Sequence, residues 1–163
     1  MEAALVEWAG ARPRVVSVSP RRITDVLSSF GAVARAVGAE DAGHALTARA
    51  LSRFEEIGGQ THALAPRPSV ACLEWLDPPM GAGSWMPELV AMAGGRPLFG
   101  EAGEHSPTLS WQALREADPD VLVFVPCGFD IARTRAELAT REPPPWAELR
   151  AVREGRALSL IHI

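Results

Sequence analysis

Two short stretches hold the residue types that could build a binding or reactive site. The first is Glu74-Trp75-Leu76-Asp77-Pro78-Pro79-Met80-Gly81-Ala82-Gly83-Ser84-Trp85, and the second is Pro126-Cys127-Gly128-Phe129-Asp130. Both combine aromatics, glycine and proline with few charges. Tryptophan offers a wide flat surface and an N–H donor. Glycine lets backbone approach a ligand, and proline stiffens a loop. Such a lining suits a large, flat, mostly apolar ligand. The candidate contacts are Trp75, Asp77, Pro79, Gly83, Trp85, Cys127, Gly128 and Phe129. Each aromatic taken alone is as much at home as a core anchor. It is their convergence on one edge of a sheet that favours binding.

Cys127 also invites a second chemistry. A cysteine after a strand, ahead of a helix amino terminus, has a route to a lowered pKa. A nucleophile further needs a base and an orienting group, and His105 with Glu104 or Asp130 are the available types. A small Cys127-dependent hydrolase is therefore the competing reading. Against it stands the commoner role of a strand-end cysteine as inert packing. The sequence holds no P-loop, no GxGxxG after a strand and no HExxH. His44, His62, His105 and His162 lack ligand spacing, so no bound metal is expected. No covalently bound cofactor is expected either.

The elements that must position these loops follow from periodicity. Residues 2–9 have helical spacing, ended by Gly10 and Pro13. Residues 14–19 form a β-branched run closed by Pro20 and predict a strand. Apolar residues from Ile23 to Val37 recur with a 3.6-residue period, ended by Gly38, with Arg22 or Thr24 at the start. Residues 40–64 predict one long alanine-rich helix, weakened by Gly43 near its start and interrupted or frayed by Gly58-Gly59. Residues 65–68 are a linker. From Ser69 the chain alternates strand and helix. Val70–Trp75 is a strand, Asp77–Gly83 a loop, and Ser84 caps a helix running through Ala93. Arg96–Phe99 is a short strand, and Ser110 caps the helix Trp111–Ala117. Val121–Val125 reads as a buried parallel strand. Helices at Ile131–Arg141 and Trp146–Val152 precede a last strand after Gly155. The fold class is α/β: a Rossmann-like parallel sheet with helices on both faces, plus connecting helices, joined by right-handed crossovers. In such sheets ligands bind beyond the carboxyl ends of the strands, where both candidate loops fall.

Composition narrows the partners. With 163 residues, 47% of them hydrophobic and 22% charged, the chain can bury a core. Its net charge of −4 offers no footing for a phosphate backbone, so no nucleic-acid partner is expected. No apolar run reaches the ~18 residues of a membrane span. The first residues carry early acids and no basic segment, unlike a secretory signal. The two cysteines, Cys72 and Cys127, make no disulfide framework. All 16 basic residues are arginine, and asparagine and tyrosine are absent, which fits a GC-rich gene.

From Cys72-Leu-Glu-Trp-Leu-Asp-Pro-Pro79 through Gly83-Ser-Trp85, Pro87-Glu-Leu-Val90 and Ala93-Gly-Gly95, the chain resembles cobalamin-binding proteins of the periplasmic-binding superfamily. The likeness continues through Leu109-Ser-Trp-Gln112, Ala117-Asp-Pro-Asp120 and Pro126-Cys-Gly-Phe-Asp130. It ends around Trp146-Ala-Glu-Leu149 and Val152-Arg-Glu-Gly-Arg156. Its specific parts are LEWLDPP and PCGFD; the ADPD turn is widespread. The resemblance implies a two-lobed, extracytoplasmic, monomeric protein that holds cobalamin or a related corrinoid in an interlobe cleft and docks on an ABC permease. A siderophore or haem is the alternative ligand. Residues 1–65 would be the end of the first lobe and the connecting helices, and 66–163 the carboxy-terminal lobe, with a further lobe expected before Met1. Permease docking would fall at Gln112, where relatives often carry an acid that this chain lacks.

Relatives continue after Gly155-Arg156 with a strand, a loop and a terminal helix. Here Leu158-Ser-Leu-Ile-His-Ile163 is isoleucine-rich in an isoleucine-poor chain and matches one reading frame of a transposase adapter end. These six residues are therefore expected to be translated adapter. Sequencing the locus checks this: native DNA should depart before the Leu158 codon, and genomic sequence running through all six codons to a stop overturns it.

Overall fold

A computed structural model describes residues 15–63, 65–140 and 146–160. The helix expected over residues 2–9 lies outside the described residues. The chain divides into two compact units between Glu55 and Glu56.

In the first unit the β-branched run expected as a strand does not form one: residues 15–20 have no strand assignment, and Val15, Val16 and Val18 are exposed. β-Propensity makes a strand only where a neighbour accepts its hydrogen bonds, and no described strand lies beside this run. Helix α1, Ile23–Val37, starts where Asp25 Oδ2 accepts the N–H groups of Arg21 and Arg22 at 3.0 and 2.8 Å. These donors hold the Asp25 carboxyl below its ordinary range. Helix α2, Glu40–Thr61, crosses the division between the units. Gly43 in α2 meets α1 closely, since a Cβ there would stand 2.5 Å from the Ala34 Cβ. The glycine that weakens helix propensity thus permits the helix–helix contact. Gly58-Gly59 does not interrupt the helix. In the second unit, the end of α2 is fastened by Thr61 Oγ1 donating to the Met92 carbonyl at 2.6 Å.

The second unit is a five-stranded sheet of β1 (Ser69–Leu76), β2 (Pro79–Gly81), β3 (Arg96–Leu98), β4 (Val121–Phe124) and β5 (Ala157–Ser159). Strands β3, β1, β4 and β5 are parallel, with β1 between β3 and β4. Strand β2 corrects the expected loop. It folds back antiparallel on β1, pairing Leu76 with Pro79 and Leu73 with Gly81 across a bulge. On its other side, Pro79 O accepts Leu109 N–H and Pro107 O accepts Gly81 N–H. Proline fits here because the position needs an acceptor and no donor.

Alternation along β1 and β4 sends side chains to two faces. Ala71, Leu73, Leu122 and Phe124 face a core with Leu114 of α4 (Trp111–Ala117), Trp146, Leu149 and Ala151. Leu138 of α5 (Ile131–Ala139) packs against it. Cys72, Val123 and Val125 face Val90 of α3 (Met86–Met92). Helices therefore cover both faces of the sheet. Leu73, Leu114 and Leu122 are almost wholly buried, each contributing about 1.5–3 kcal/mol of transfer free energy.

Several helix boundaries differ from expectation, with α2 ending at Thr61 and the next helix at Met92. Ser84 does not cap α3. Its φ is 50°, and its backbone pairs with Glu104 and Gly103, so Trp85 becomes the N-cap. In place of the expected Trp146–Val152 helix only Arg150–Arg153 is helical, as α6, and Trp146 and Leu149 are drawn into the core. Ser110 does cap α4, its Oγ accepting Ala113 N–H at 3.0 Å.

The amino ends of the parallel strands are tied by one carboxylate. Asp120 Oδ2 accepts Ser69 N–H at 2.8 Å and Ser69 Oγ–H at 2.7 Å. Asp120 Oδ1 pairs with Arg150 Nη2 at 2.9 Å, and the Asp120 carbonyl accepts Arg156 Nε–H at 2.7 Å. The Ser69 backbone and hydroxyl donors, with the two arginines, hold the Asp120 carboxyl below 3.8. A lowered folded value means stability present above the ordinary carboxyl pKa and lost as pH falls through the lowered value. Asp120→Ala should therefore lower the urea midpoint at about pH 7, with a gap to the parent chain that narrows by about pH 3; a gap independent of pH would contradict this.

Candidate binding site at the sheet switch point

The connections from β1 and β4 leave in opposite directions. Strand β1 leads through α3 to β3 on one side, while β4 leads through α5 to β5 on the other. Where neighbouring parallel strands diverge in this way, their carboxyl ends leave a crevice between the loops. A depression of about 180 Å³ lies there, lined by Trp75, Leu76 and Asp77 after β1, by Pro126 and Phe129 after β4, and by Arg133 and Glu137 of α5.

Its floor is aromatic. The Trp75 and Phe129 rings meet edge to face, with centroids 5.6 Å apart. Phe129 is 8% exposed and fixed by packing, whereas Trp75 is 38% exposed and turns its ring to solvent. Trp75 Nε1–H donates to the Asp77 carbonyl at 3.1 Å, which orients the indole. The Arg133 guanidinium lies 3.8 Å from the centre of the Phe129 ring, a cation–π contact. Helix α5 is aimed by Asp130, whose Oδ1 accepts Arg133 N–H at 2.7 Å as its N-cap.

Of the residues singled out from sequence, Trp75, Asp77 and Phe129 come together in this depression. Cys127 and Gly128 sit exposed on the adjoining turn and do not line it; Cys127 N–H donates to the Glu74 carbonyl and Gly128 has φ 74°. Pro79 is buried in β2. Gly83 is buried against residues 104–106: a Cβ there would lie 2.6 Å from the Glu104 carbonyl. A close approach of backbone to backbone therefore demands that glycine. Trp85 is half-buried at the start of α3 and outside the depression. Gln112, exposed on α4, donates to Glu116 Oε1 at 2.9 Å.

Arg133 and Glu137 were missed because their signal is indirect. Residues four apart on a helix share a face, but only the docking of α5 turns that face to the crevice. The groups imagined for hydrolysis do not gather. His105 and Glu104 line a separate depression with Phe99 and Leu109, which Cys127 does not line, and Asp130 Oδ1 is engaged as a helix cap. Among the described residues no cluster of three or more His, Cys, Asp and Glu could hold a metal.

The two thiols differ sharply. Cys127 is exposed, whereas burial pushes the Cys72 thiol up to about 11. A disulfide reagent should therefore titrate one thiol quickly in the folded chain, and Cys127→Ser should abolish that phase. Two fast thiols would contradict the burial of Cys72.

Comparison with known proteins places this geometry among relatives. The structure is similar to a periplasmic haem-binding protein from Roseiflexus sp. RS-1, with 23% identity and a TM-score of 0.73, over 98% of this chain and 61% of that one. It is also similar to an ABC transporter substrate-binding protein from Listeria monocytogenes EGD-e, with 15% identity and a TM-score of 0.73, over 97% of this chain and 62% of that one. A protein of an ABC-type Fe3+-hydroxamate transport system from Saccharomonospora viridis DSM 43017 shows 20% identity and a TM-score of 0.70, over 96% of this chain and 56% of that one. The chain thus spans about three-fifths of the length of these structures. No curated protein matches the sequence. The periplasmic binding protein family matches residues 7–160, and with a switch-point crevice on a parallel α/β sheet, the chain belongs to that family.

Proposed function

We propose that this chain supplies one wall of the ligand cleft of an ABC import system's substrate-binding protein, and that the ligand is cobalamin or a related corrinoid. The observation that carries the reading is the Trp75–Phe129 pair at the switch point, an edge-to-face aromatic floor in which Phe129 is buried and Trp75 is exposed to solvent. A depression of about 180 Å³ is too small to enclose a large ligand by itself, since sites that bury most of a drug-sized ligand run to roughly 300–1,000 Å³. It therefore serves as one wall, with residues 66–163 forming the lobe and residues 1–65 the end of a first lobe with its connecting helices. Gly83 and Pro79 shape the loops, Cys127 and Gly128 border the wall, and Trp85 anchors α3. The partner permease would place the protein outside the cytoplasm. Its contact is proposed on α4, where the exposed Gln112–Glu116 pair offers a carboxylate one turn beyond Gln112. Among the described residues no helix is long and apolar enough to cross a membrane.

A siderophore or haem is the second reading, favoured by similar structures whose names record haem binding and Fe3+-hydroxamate transport. Titration with cyanocobalamin, haemin and a ferric hydroxamate, followed by tryptophan fluorescence, separates the two. Cyanocobalamin should quench, and Phe129→Ala or Trp75→Ala should weaken its binding about tenfold or more, the loss expected for a central aromatic contact. Quenching by haemin or the hydroxamate alone would select the second reading. No quenching, with a thiol-dependent esterase activity lost in Cys127→Ala, would select the hydrolase.

A further inference from the structure

The rim of the depression carries a charge pattern that the aromatic floor does not explain. Arg133 and Glu137 stand one helical turn apart on α5 and both line the crevice. Both are exposed. The Arg133 guanidinium carbon stays 3.8 Å from the centre of the Phe129 ring, a contact that uses no N–H hydrogen bond. Among the described residues neither the Arg133 guanidinium nor the Glu137 carboxylate has a hydrogen-bond or ion-pair partner. Asp77 adds a second carboxylate on the opposite loop. The crevice thus presents an aromatic floor, one strong donor and the Glu137 carboxylate as an acceptor.

This arrangement discriminates between kinds of ligand fringe. A primary carboxamide carries a C=O acceptor and an NH2 donor on one carbon. Its oxygen can accept from Arg133 while the NH2 of the same or a neighbouring amide donates to Glu137. A carboxylate at the same place satisfies Arg133 but brings like charge towards Glu137, which costs binding free energy. We propose that Arg133 and Glu137 form a donor–acceptor rim that selects flat ligands fringed by uncharged carboxamides over ligands of the same shape fringed by carboxylates. This rests on the corrinoid reading above, and it names two specificity-determining residues that composition and motif alone do not reveal.

The experiment compares two ligands of one shape. Cyanocobalamin and its monocarboxylic acid derivatives, in which one peripheral amide is hydrolysed, are titrated against the protein expressed in its full gene context, with tryptophan quenching as the readout. The parent protein should bind the amide form about tenfold more tightly than the acid forms, the like-charge contact with Glu137 outweighing the gain at Arg133. Glu137→Gln should shrink that ratio to about threefold or less. Arg133→Ala should weaken the amide form, with Arg133→Lys restoring part of the loss. Equal binding of amide and acid forms by the parent, or an unchanged ratio in Glu137→Gln, overturns the rim while leaving the corrinoid reading intact. Binding of haemin with neither corrinoid form bound overturns both.

Discussion

The Asp120 carboxylate is the constraint on which the second unit depends. It closes the amino-terminal end of the sheet by binding Ser69 at the start of β1 while its own backbone begins β4. Arg150 and Arg156 bring α6 and the approach to β5 to the same point. A parallel sheet cannot be closed by tight hairpins, because each strand returns by a crossover. The strand starts must therefore be brought into register by something other than turns. Here that is a short polar cluster in which Ser69 Oγ both donates to the Asp120 carboxylate and accepts its N–H. With the starts fixed, β1 and β4 pair from Val70–Val121 to Leu73–Phe124, so their carboxyl ends arrive side by side.

That arrival makes the crevice. The polar clamp and the aromatic-floored depression sit at opposite ends of the same strands, one setting register and the other using it. The division of labour suits the chemistry of each end. The clamp works by oriented hydrogen bonds between short side chains and backbone. The depression works by rings, one packed and one open, with the packed Phe129 supporting both Trp75 and Arg133. A binding surface built from a fixed ring and oriented neighbours loses little conformational freedom when a ligand arrives.

Much of this was legible in the chain. The period of Ile23–Val37, the apolar run of Val121–Phe124 and the Ser110 cap needed no tertiary information, because helix periodicity and capping are local. The departures have a common cause. The run from Val15 onward has strand chemistry but no described neighbour to pair with. Residues 79–81 look like a loop, yet they become β2 because β1 on one side and residues 107–109 on the other accept and supply their hydrogen bonds. Ser84 has the type of an N-cap, but its backbone is taken by residues 103 and 104. In each case long-range pairing overruled local preference.

The same distinction separates the parts of the site. By itself the sequence determined the fold class, the order of the parallel strands of the second unit along the chain and the two loops that meet at their carboxyl ends. Alternation, breakers and caps act over a few residues and are written directly into the chain. Tertiary structure alone decided which loop residues face the crevice and which support it. It brought Trp75 and Phe129 together, placed Gly83 against backbone and Trp85 at a helix start, and added Arg133 and Glu137 from α5. The direction of a side chain beyond a strand end depends on how its loop packs, and the facing side of a helix depends on what it docks against. Neither is a local property, so no spacing in the sequence could have supplied it.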